Sequence, residues 1–268
     1  MLPADYHIHT CRDHGAAPPA DYVAQAVRLG ITHIGLVGHG RTEFPCEYAM
    51  SEQAETLFLS EMQALKARFP GQLFCGIEAD YYTLPIRQPY DYRIGSVHYV
   101  RWNDQFLSVD SDPEQLAQQV QALWGGDFSR LYRLYFELLA QLPAKTNADI
   151  IGHLDLITKF HETHHLFSVD APLYRRLARD AVQALLDKNP IFEINTGAIS
   201  RGYRTTPYPA DWLLREIAGR KGRIIFSSDA HTPAHMLYGF SDAAALARAC
   251  GFQTAWILTD QGFSEVPL

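Results

Sequence analysis

The 268-residue chain is poor in several features that mark particular classes of protein. Its four cysteines, Cys11, Cys46, Cys75 and Cys250, are scattered and form no CxxC pair, so we expect reduced thiols rather than the disulfide framework of a small secreted fold. Basic residues are also few: 23 Lys and Arg face 30 Asp and Glu, for a formal net charge of -7. This balance argues against a nucleic-acid partner.

Long apolar segments are missing as well. No stretch approaches the ~18 consecutive apolar residues of a membrane span. The first residues, Met-Leu-Pro-Ala-Asp-Tyr-His, contain neither the basic nor the apolar region of a secretory leader. We therefore expect a cytoplasmic protein without a membrane partner, and the sequence leaves the oligomeric state open.

Short apolar runs alternate with helical patterns along the chain. Three helices have clear start and stop signals: one from Pro18-Pro19 to Gly30, one from Asp112-Pro113 to about Leu123, and one capped by Asp170 that runs to Lys188. The strand candidates are Asp5 to Thr10, His33 to His39, Leu73 to Asp80, Arg93 to Val100, Asp149 to Asp155, Ile191 to Thr196 and Arg223 to Ser228. A later run, Gln253 to Leu258, is either an eighth strand or a terminal flap.

This alternation predicts parallel βα units, and seven or eight of them over this length close most economically as a barrel. The chain has no internal repeat or polar linker. We therefore expect an α/β protein with one domain.

Histidine is the residue type in excess, with 12 copies against four each of Trp, Cys and Met. His7 and His9 alternate along the first predicted strand, so both side chains can point to one face. Further candidates lie near the ends of later strands: His14, His39, Glu78, His98, His153, Asp229 and His231. In a barrel these ends converge on one mouth. Imidazole and carboxylate ligands together suit zinc, manganese or iron, and nine of them suffice for two or three divalent ions.

These motifs, taken in order, resemble those of the PHP (polymerase and histidinol phosphatase) family. They are Asp-Tyr-His-Ile-His-Thr at 5–10, Gly38-His39-Gly40, Gly76-Ile77-Glu78, Ser96-Val97-His98, Gly152-His153-Leu154-Asp155 and Ser228-Asp229-Ala230-His231. The resemblance implies a distorted (β/α)7 TIM-like barrel, formed by 1–268 as a single domain, with a trinuclear metal site in which zinc is the expected ion.

Carried over by position, the resemblance implies three ligand groups: His7, His9, Glu78 and Asp229; Glu78 as a bridge with His98 and His153; and His14, His39 and His231. One position departs from the family, because the residue before the strand-two histidine is usually Asp there and is Gly38 here. We therefore expect the third group to be the weakest metal site.

Two further stretches, 152–160 and 192–204 followed by Tyr208-Pro209, are similar to those of the histidinol-phosphate phosphatases within this family. By this likeness Lys159 and Arg201 are the expected phosphate ligands, and Arg204 is a third candidate. Arginine offers phosphate a planar fork of donors. A solvated loop is the alternative interpretation of this basic cluster.

The implied substrate is L-histidinol phosphate, whose ammonium and imidazole call for a carboxylate and a flat apolar wall. Glu43 and Tyr82, with Phe44, Tyr48, Met50 and Tyr81, are candidates, although ordinary loop packing would also explain them. Glu193 and Asn195 are expected to support other site residues rather than touch the substrate.

The implied mechanism is attack on phosphorus by a metal-activated hydroxide. Glu78, Asp229 and His231 would hold the metals, while Arg201 and Lys159 would stabilise the phosphate oxygens. Two alternatives remain: a PHP phosphoesterase for another small phosphate, and a metal-binding module without turnover.

Overall fold

A computed structural model describes residues 4–268, whose central element is a barrel of parallel strands. The strands are β1 (Ala4–Asp5), β2 (His33–Leu36), β3 (Leu73–Asp80), β4 (Tyr92–Ser96), β5 (Tyr99–Trp102), β6 (Gln105–Ser108), β7 (Ile150–Ile151), β8 (Ile191–Asn195), β9 (Arg223–Ser227), β10 (Thr254–Thr259) and β11 (Gly262–Pro267). Within the described residues seven of them pair in the order β1, β2, β3, β4, β7, β8, β9, all in parallel. An isolated parallel bridge between Ile8 and Ala230 joins the segments after β1 and β9. The predicted distorted (β/α)7 barrel is confirmed.

Helices pack around this barrel and bury their apolar faces against it. They are α1 (Pro19–Leu29), α2 (Glu52–Lys66), α3 (Pro113–Trp124), α4 (Phe128–Thr146), α5 (His161–His164), α6 (Pro172–Leu186), α7 (Gly197–Ser200), α8 (Asp211–Gly219) and α9 (Phe240–Cys250), with 3-10 turns at Leu156–Thr158 and Pro233–His235. None of the helices described within 4–268 is long and apolar enough to cross a membrane.

The helix signals in the sequence are correct at two of three positions. Gly30 ends α1 in the left-handed conformation, and the Asp112 side chain accepts two backbone N–H groups at the start of α3. Asp170, in contrast, does not cap α6, which begins at Pro172 and ends at Leu186. The Asp170 carboxylate instead accepts a hydrogen bond from Arg175 at 2.6 Å.

Several strands are shorter than their apolar runs predict. The first pairs as a strand only at Ala4–Asp5, and the fifth only at Ile150–Ile151, because the chain then leaves the ladder at the barrel mouth. The run from Arg93 to Val100 is divided: β4 belongs to the barrel, whereas β5 pairs antiparallel with β6 as an unpredicted hairpin.

Of the two alternatives for the run at Gln253 to Leu258, the structure shows the terminal flap and not an eighth barrel strand. It forms β10, which pairs antiparallel with β11 and not with the barrel sheet. Ile257 and Leu258 pack against barrel residues near the amino ends of the strands, among them Tyr92 and Ile191. The flap therefore covers the apolar floor of the barrel, opposite the carboxyl ends of the strands.

Tyr6 fastens this flap to the floor. Its buried hydroxyl donates to the carbonyl oxygen of Leu258 at 2.7 Å and accepts from the Leu258 N–H at 2.9 Å. Tyr6→Phe would leave both backbone groups buried and unpaired, so we expect the free energy of unfolding to fall by about 1–3 kcal/mol. Urea unfolding of the metal-free protein measures this loss. Tyr238→Phe, at an exposed tyrosine, is the matched control, and equal stability of the two variants would contradict the role of Tyr6.

Candidate metal centre

Glu78 lies near the end of β3, and its carboxylate is surrounded by imidazoles. The side chain is only 1% exposed. Its Oε1 atom lies 3.0 Å from His153 Nε2 and 3.3 Å from His98 Nε2, and its Oε2 atom lies 3.1 Å from His7 Nε2, 3.2 Å from His9 Nε2 and 3.3 Å from His39 Nδ1. Five histidines from four different strand ends thus share one buried carboxylate.

The remaining ligand candidates come from the turns after β1 and β9. Asp229 adopts a positive φ of 47°, and its Oδ1 atom lies 3.8 Å from His7 Nε2 and 3.7 Å from His9 Nε2. His231 Nε2 lies 2.6 Å from His14 Nε2. The structure therefore brings all nine predicted ligands into one cluster at the barrel mouth.

Three carboxylates orient the imidazoles from behind. The Glu193 carboxylate lies 2.6 Å from His7 Nδ1 and also accepts the His153 backbone N–H. The Asp13 carboxylate lies 2.6 Å from His9 Nδ1. The Asp80 carboxylate lies 3.4 Å from His98 Nδ1 and accepts the His98 backbone N–H. Such contacts fix which ring nitrogen carries the proton. The sequence pattern indicates Glu193 but neither Asp13 nor Asp80, although Asp80 is two residues from Glu78 on the same strand.

This arrangement fits metal ions. When His7 and His9 donate their Nδ1–H groups to Glu193 and Asp13, their Nε2 atoms lie 3.1 Å apart, and loss of the Nε2 protons leaves two lone pairs that point toward the same place. Lone pairs converge in this way where a cation is bound between them. Donor atoms within 4.8 Å of one another form several such groups: His7, His9 and Glu78; His39, Glu78 and His98; His7, His153 and Asp229; His9, Asp229 and His231; and His9, Asp13, His14 and His39.

The same contacts shift the acid–base properties of the carboxylates. Burial opposes ionisation of Glu78, yet His39, His7 and His98 outweigh it and hold the pKa of that carboxyl well below its usual range. Burial likewise opposes ionisation of Asp229, but Arg201 and nearby imidazoles hold its pKa well below its usual range. Both carboxylates therefore stay ionised and available to cations.

Six of the seven imidazoles among the ligand candidates fall into two sets, according to the direction in which their pKa is shifted. Burial disfavours the charged ring in all of them, but nearby carboxylates raise the pKa of His7 and His98 well above the usual value and that of His9 to about 9. In His39 and His231 burial prevails and the pKa lies well below the usual value, while that of His14 falls to about 4. In the metal-free protein the carboxylates thus favour the charged ring in the first set, and burial favours the neutral ring in the second.

A cavity of about 210 Å³ opens above this cluster. Every ligand candidate except His7 lines it, together with Tyr48, Asp110, Ser111, Leu156, Lys159, Arg201, Tyr203 and Tyr208. Lys159 Nζ donates to the Asp110 carbonyl oxygen at 2.6 Å and lies 4.7 Å from the centre of the Tyr203 ring. Arg201 donates to the Asp229 carbonyl oxygen at 2.7 Å and to its carboxylate at 3.0 Å. Two cations thus face the cavity beside the metal ligands.

Of the other residues predicted to contact the substrate, Tyr48 belongs to this lining, and six lie outside it: Glu43, Phe44, Met50, Tyr81, Tyr82 and Arg204. Arg204 stacks over the Tyr208 ring at 4.4 Å and donates to Thr158. Tyr82 packs edge-on against Phe106 and its hydroxyl accepts the Arg101 N–H. The Glu43 backbone N–H donates to the Tyr82 carbonyl oxygen at 3.0 Å. Contact of these residues with the substrate stays a prediction.

The barrel and its ligand-lined mouth define a class of metal-binding proteins, and the sequence comparisons identify the family. Residues 5–197 match the profile of the PHP domain, so the chain belongs to the PHP family. A Deinococcus radiodurans protein named Probable histidinol-phosphatase is 30% identical, covering 93% of this chain and 94% of its own length. The Histidinol-phosphatase of Bacillus subtilis is 25% identical, covering 90% and 97%.

A solved structure shares the fold. It is the histidinol phosphate phosphatase of Lactococcus lactis, complexed with zinc, L-histidinol and phosphate, which superimposes with a TM-score of 0.73 at 20% identity. The superposition covers 97% of this chain and 98% of that one.

The set of imidazoles with raised pKa values generates a prediction about metal binding. A ligand nitrogen must lose its proton before it binds a metal ion, and the pKa values of His7, His9 and His98 are all raised by nearby carboxylates, which favours the protonated ring. Zinc binding to the metal-free protein should therefore release protons, and zinc affinity should rise with pH until these groups are deprotonated. Calorimetry in buffers of different ionisation enthalpy measures the release. His235→Gln, outside the cavity lining, should behave as wild type, and a binding heat independent of buffer would contradict the assignment.

Proposed function

We propose that this protein is a histidinol-phosphatase, a phosphoric monoester hydrolase that converts L-histidinol phosphate to L-histidinol and phosphate in histidine biosynthesis. The observation that carries the proposal is one cavity in which a histidine and carboxylate cluster meets two cations, Lys159 and Arg201. The curated relatives from Deinococcus and Bacillus, matched over nearly their whole lengths, support the same activity. We further propose a cytoplasmic location and that 1–268 forms one PHP phosphoesterase domain.

We assign the nine ligands to two or three divalent ions, with zinc first because the Lactococcus protein binds it and manganese or iron as alternatives. We propose that Glu78 would bridge two of these ions. Its two carboxylate oxygens face different imidazoles, which supports this role. When bound, such ions lower the pKa of water and neutralise phosphate charge. The chain contributes the fixed ligand geometry and the buried carboxylates that hold each imidazole in its tautomer.

Lys159 and Arg201 are our candidates for binding the phosphate oxygens. A phosphomonoester carries about two negative charges near neutral pH, and both side chains reach the cavity beside the ligands. Arg201 also donates to Asp229 and lies 2.8 Å from His231. It therefore couples phosphate binding to the position of two ligand candidates. Because charged hydrogen bonds strengthen as negative charge concentrates on the oxygens, both residues stabilise the transition state.

Asp110 is our candidate for the organic end of the substrate. It lines the cavity, and its Oδ2 atom lies 3.5 Å from Lys159 Nζ. Burial opposes its ionisation, yet Lys159 lowers the pKa of the carboxyl and keeps it charged. Tyr48 and Tyr203 supply flat walls nearby. A carboxylate between aromatic rings suits an ammonium or an imidazolium group.

A substrate panel tests the proposal. Zinc-loaded enzyme should release phosphate fastest from L-histidinol phosphate when compared with sugar and nucleotide monophosphates at equal concentration. Faster release from another monoester would overturn the substrate, leaving a PHP phosphoesterase of different specificity. No release from any monoester by metal-loaded protein would overturn the enzymatic function and favour a metal-binding module.

Lys159 provides a second test. Lys159→Met keeps most of the apolar stem but removes a charged contact to phosphate, so kcat/KM should fall about 10- to 100-fold. Lys188→Met, at an exposed lysine, is the matched control. Steady-state phosphate release measures both variants, and an unchanged kcat/KM for Lys159→Met would remove Lys159 from the site.

A further inference from the structure

Asp13 is a buried carboxylate that contacts three of the proposed ligand residues. Its side chain is fully buried. The Oδ2 atom lies 2.6 Å from His9 Nδ1 and 3.7 Å from His14 Nδ1, and it accepts the His39 backbone N–H at 3.1 Å. The other oxygen, Oδ1, is buried without a hydrogen-bond partner among residues 4–268. A cation beside this buried, ionised oxygen would supply the interaction that it lacks.

The turn that carries Asp13 is built to direct it toward the cluster. Asp13 N–H and Gly15 N–H both donate to the Thr10 carbonyl oxygen, at 3.1 Å and 2.9 Å. A Cβ atom on Gly15 would lie 2.3 Å from the His9 carbonyl oxygen, so the turn closes this tightly only with glycine. Arg12 points away from the cluster and pairs with Glu61. Asp13 is thus held against His9 by local backbone geometry.

The position before His39 has no side chain to serve this end of the cluster. That residue is Gly38, and a Cβ atom there would lie 2.6 Å from the sulfur of Met50, which is itself buried. Met50 therefore fills the space that a strand-two carboxylate would need. Asp13 approaches the same imidazoles from the turn after β1, and its carboxylate lies within 4.8 Å of donor atoms of His9, His14 and His39.

We infer that Asp13 supplies the carboxylate of the third metal site, the one assigned to His14, His39 and His231; its donor atom lies within 4.8 Å of those of His14 and His39, and His14 Nε2 lies 2.6 Å from His231 Nε2. One negative charge among these three imidazoles offsets part of the charge of a divalent ion, which neutral ligands alone do not. The inference rests on the metal centre of the proposed function but not on its substrate. It also changes the expectation from Gly38, since the missing carboxylate is replaced from another segment.

Asp13→Asn is the decisive variant, because the amide keeps an oxygen that can accept the His9 Nδ1–H while losing the charge. Proteins are saturated with zinc, dialysed, and analysed by mass spectrometry for zinc per chain; chelator competition then measures the affinity of each ion. Wild type should hold three ions, and Asp13→Asn should hold two, with the third bound at least about 10-fold more weakly. Asp13→Glu, which restores the charge, should recover part of the third-site affinity.

Glu61→Gln is the matched control, because it removes the partner of Arg12 in the same turn without touching a ligand. It should keep three ions. Circular dichroism of the metal-free proteins checks that each variant is folded, and if Asp13→Asn does not fold, the comparison is made between Asp13→Glu and Glu61→Gln. The inference is overturned if Asp13→Asn keeps the wild-type zinc count and affinities, or if wild type holds only two ions. It is also overturned if Glu61→Gln loses the same ion. A further contradicting result is an Asp13→Glu variant that binds the third ion no better than Asp13→Asn. Should the zinc results agree while no phosphoester is hydrolysed, the proposed function fails and the role of Asp13 stands.

Discussion

The burial of Glu78 among five imidazoles is the constraint on which the mouth of this barrel depends. An ionised carboxylate at 1% exposure is costly unless opposite charge surrounds it. In the metal-free protein neighbouring imidazoles, His39, His7 and His98 among them, offset this cost and keep the Glu78 pKa low, and bound metal ions would take the place of imidazole protons. The stability of the protein, its uptake of protons and its affinity for metal ions therefore all depend on the charges around Glu78.

The barrel separates this polar mouth from an apolar floor. Below the ligands, Tyr6, Tyr92 and the β10–β11 flap close the barrel with buried side chains. Above them, the strands end early, so that His7, His9 and His153 lie on segments no longer bound to a regular ladder. His7 and His9 are two residues apart, so both side chains can point to the same face, and isolated parallel bridges at Ile8 and His9 hold this segment in the barrel. Lys159 and Arg201 add positive charge to the cavity beside the ligand candidates.

The sequence predicted the features that local pattern controls. The strand at Leu73–Asp80 is correct at both ends: it begins with the apolar residues Leu73, Phe74 and Cys75, and all of its residues are buried. The nine ligand candidates each lie in or shortly after a predicted strand; the structure brings them together, and their role as ligands stays a prediction. The sequence did not predict that Asp13, Asp80 and Asp110 belong to the site, since a carboxylate that reaches the site from another segment has no local signature. The β5–β6 hairpin was missed because Tyr99 continues the apolar run of β4 without a break. Arg204 stays a prediction as a phosphate ligand: its charge suggests phosphate, and in the structure its side chain contacts Tyr208 and Thr158.

Anomalous diffraction tests most directly whether the converging imidazoles around Glu78 hold the ions that hydrolyse a phosphomonoester. Crystals of the zinc-loaded protein soaked with inorganic phosphate would be measured on both sides of the zinc absorption edge. We predict at least two zinc peaks within the ligand cluster, one on each side of the Glu78 carboxylate, with phosphate between them and Lys159 and Arg201. Zinc bound elsewhere, or a single ion that does not contact Glu78, would contradict this role of the cluster.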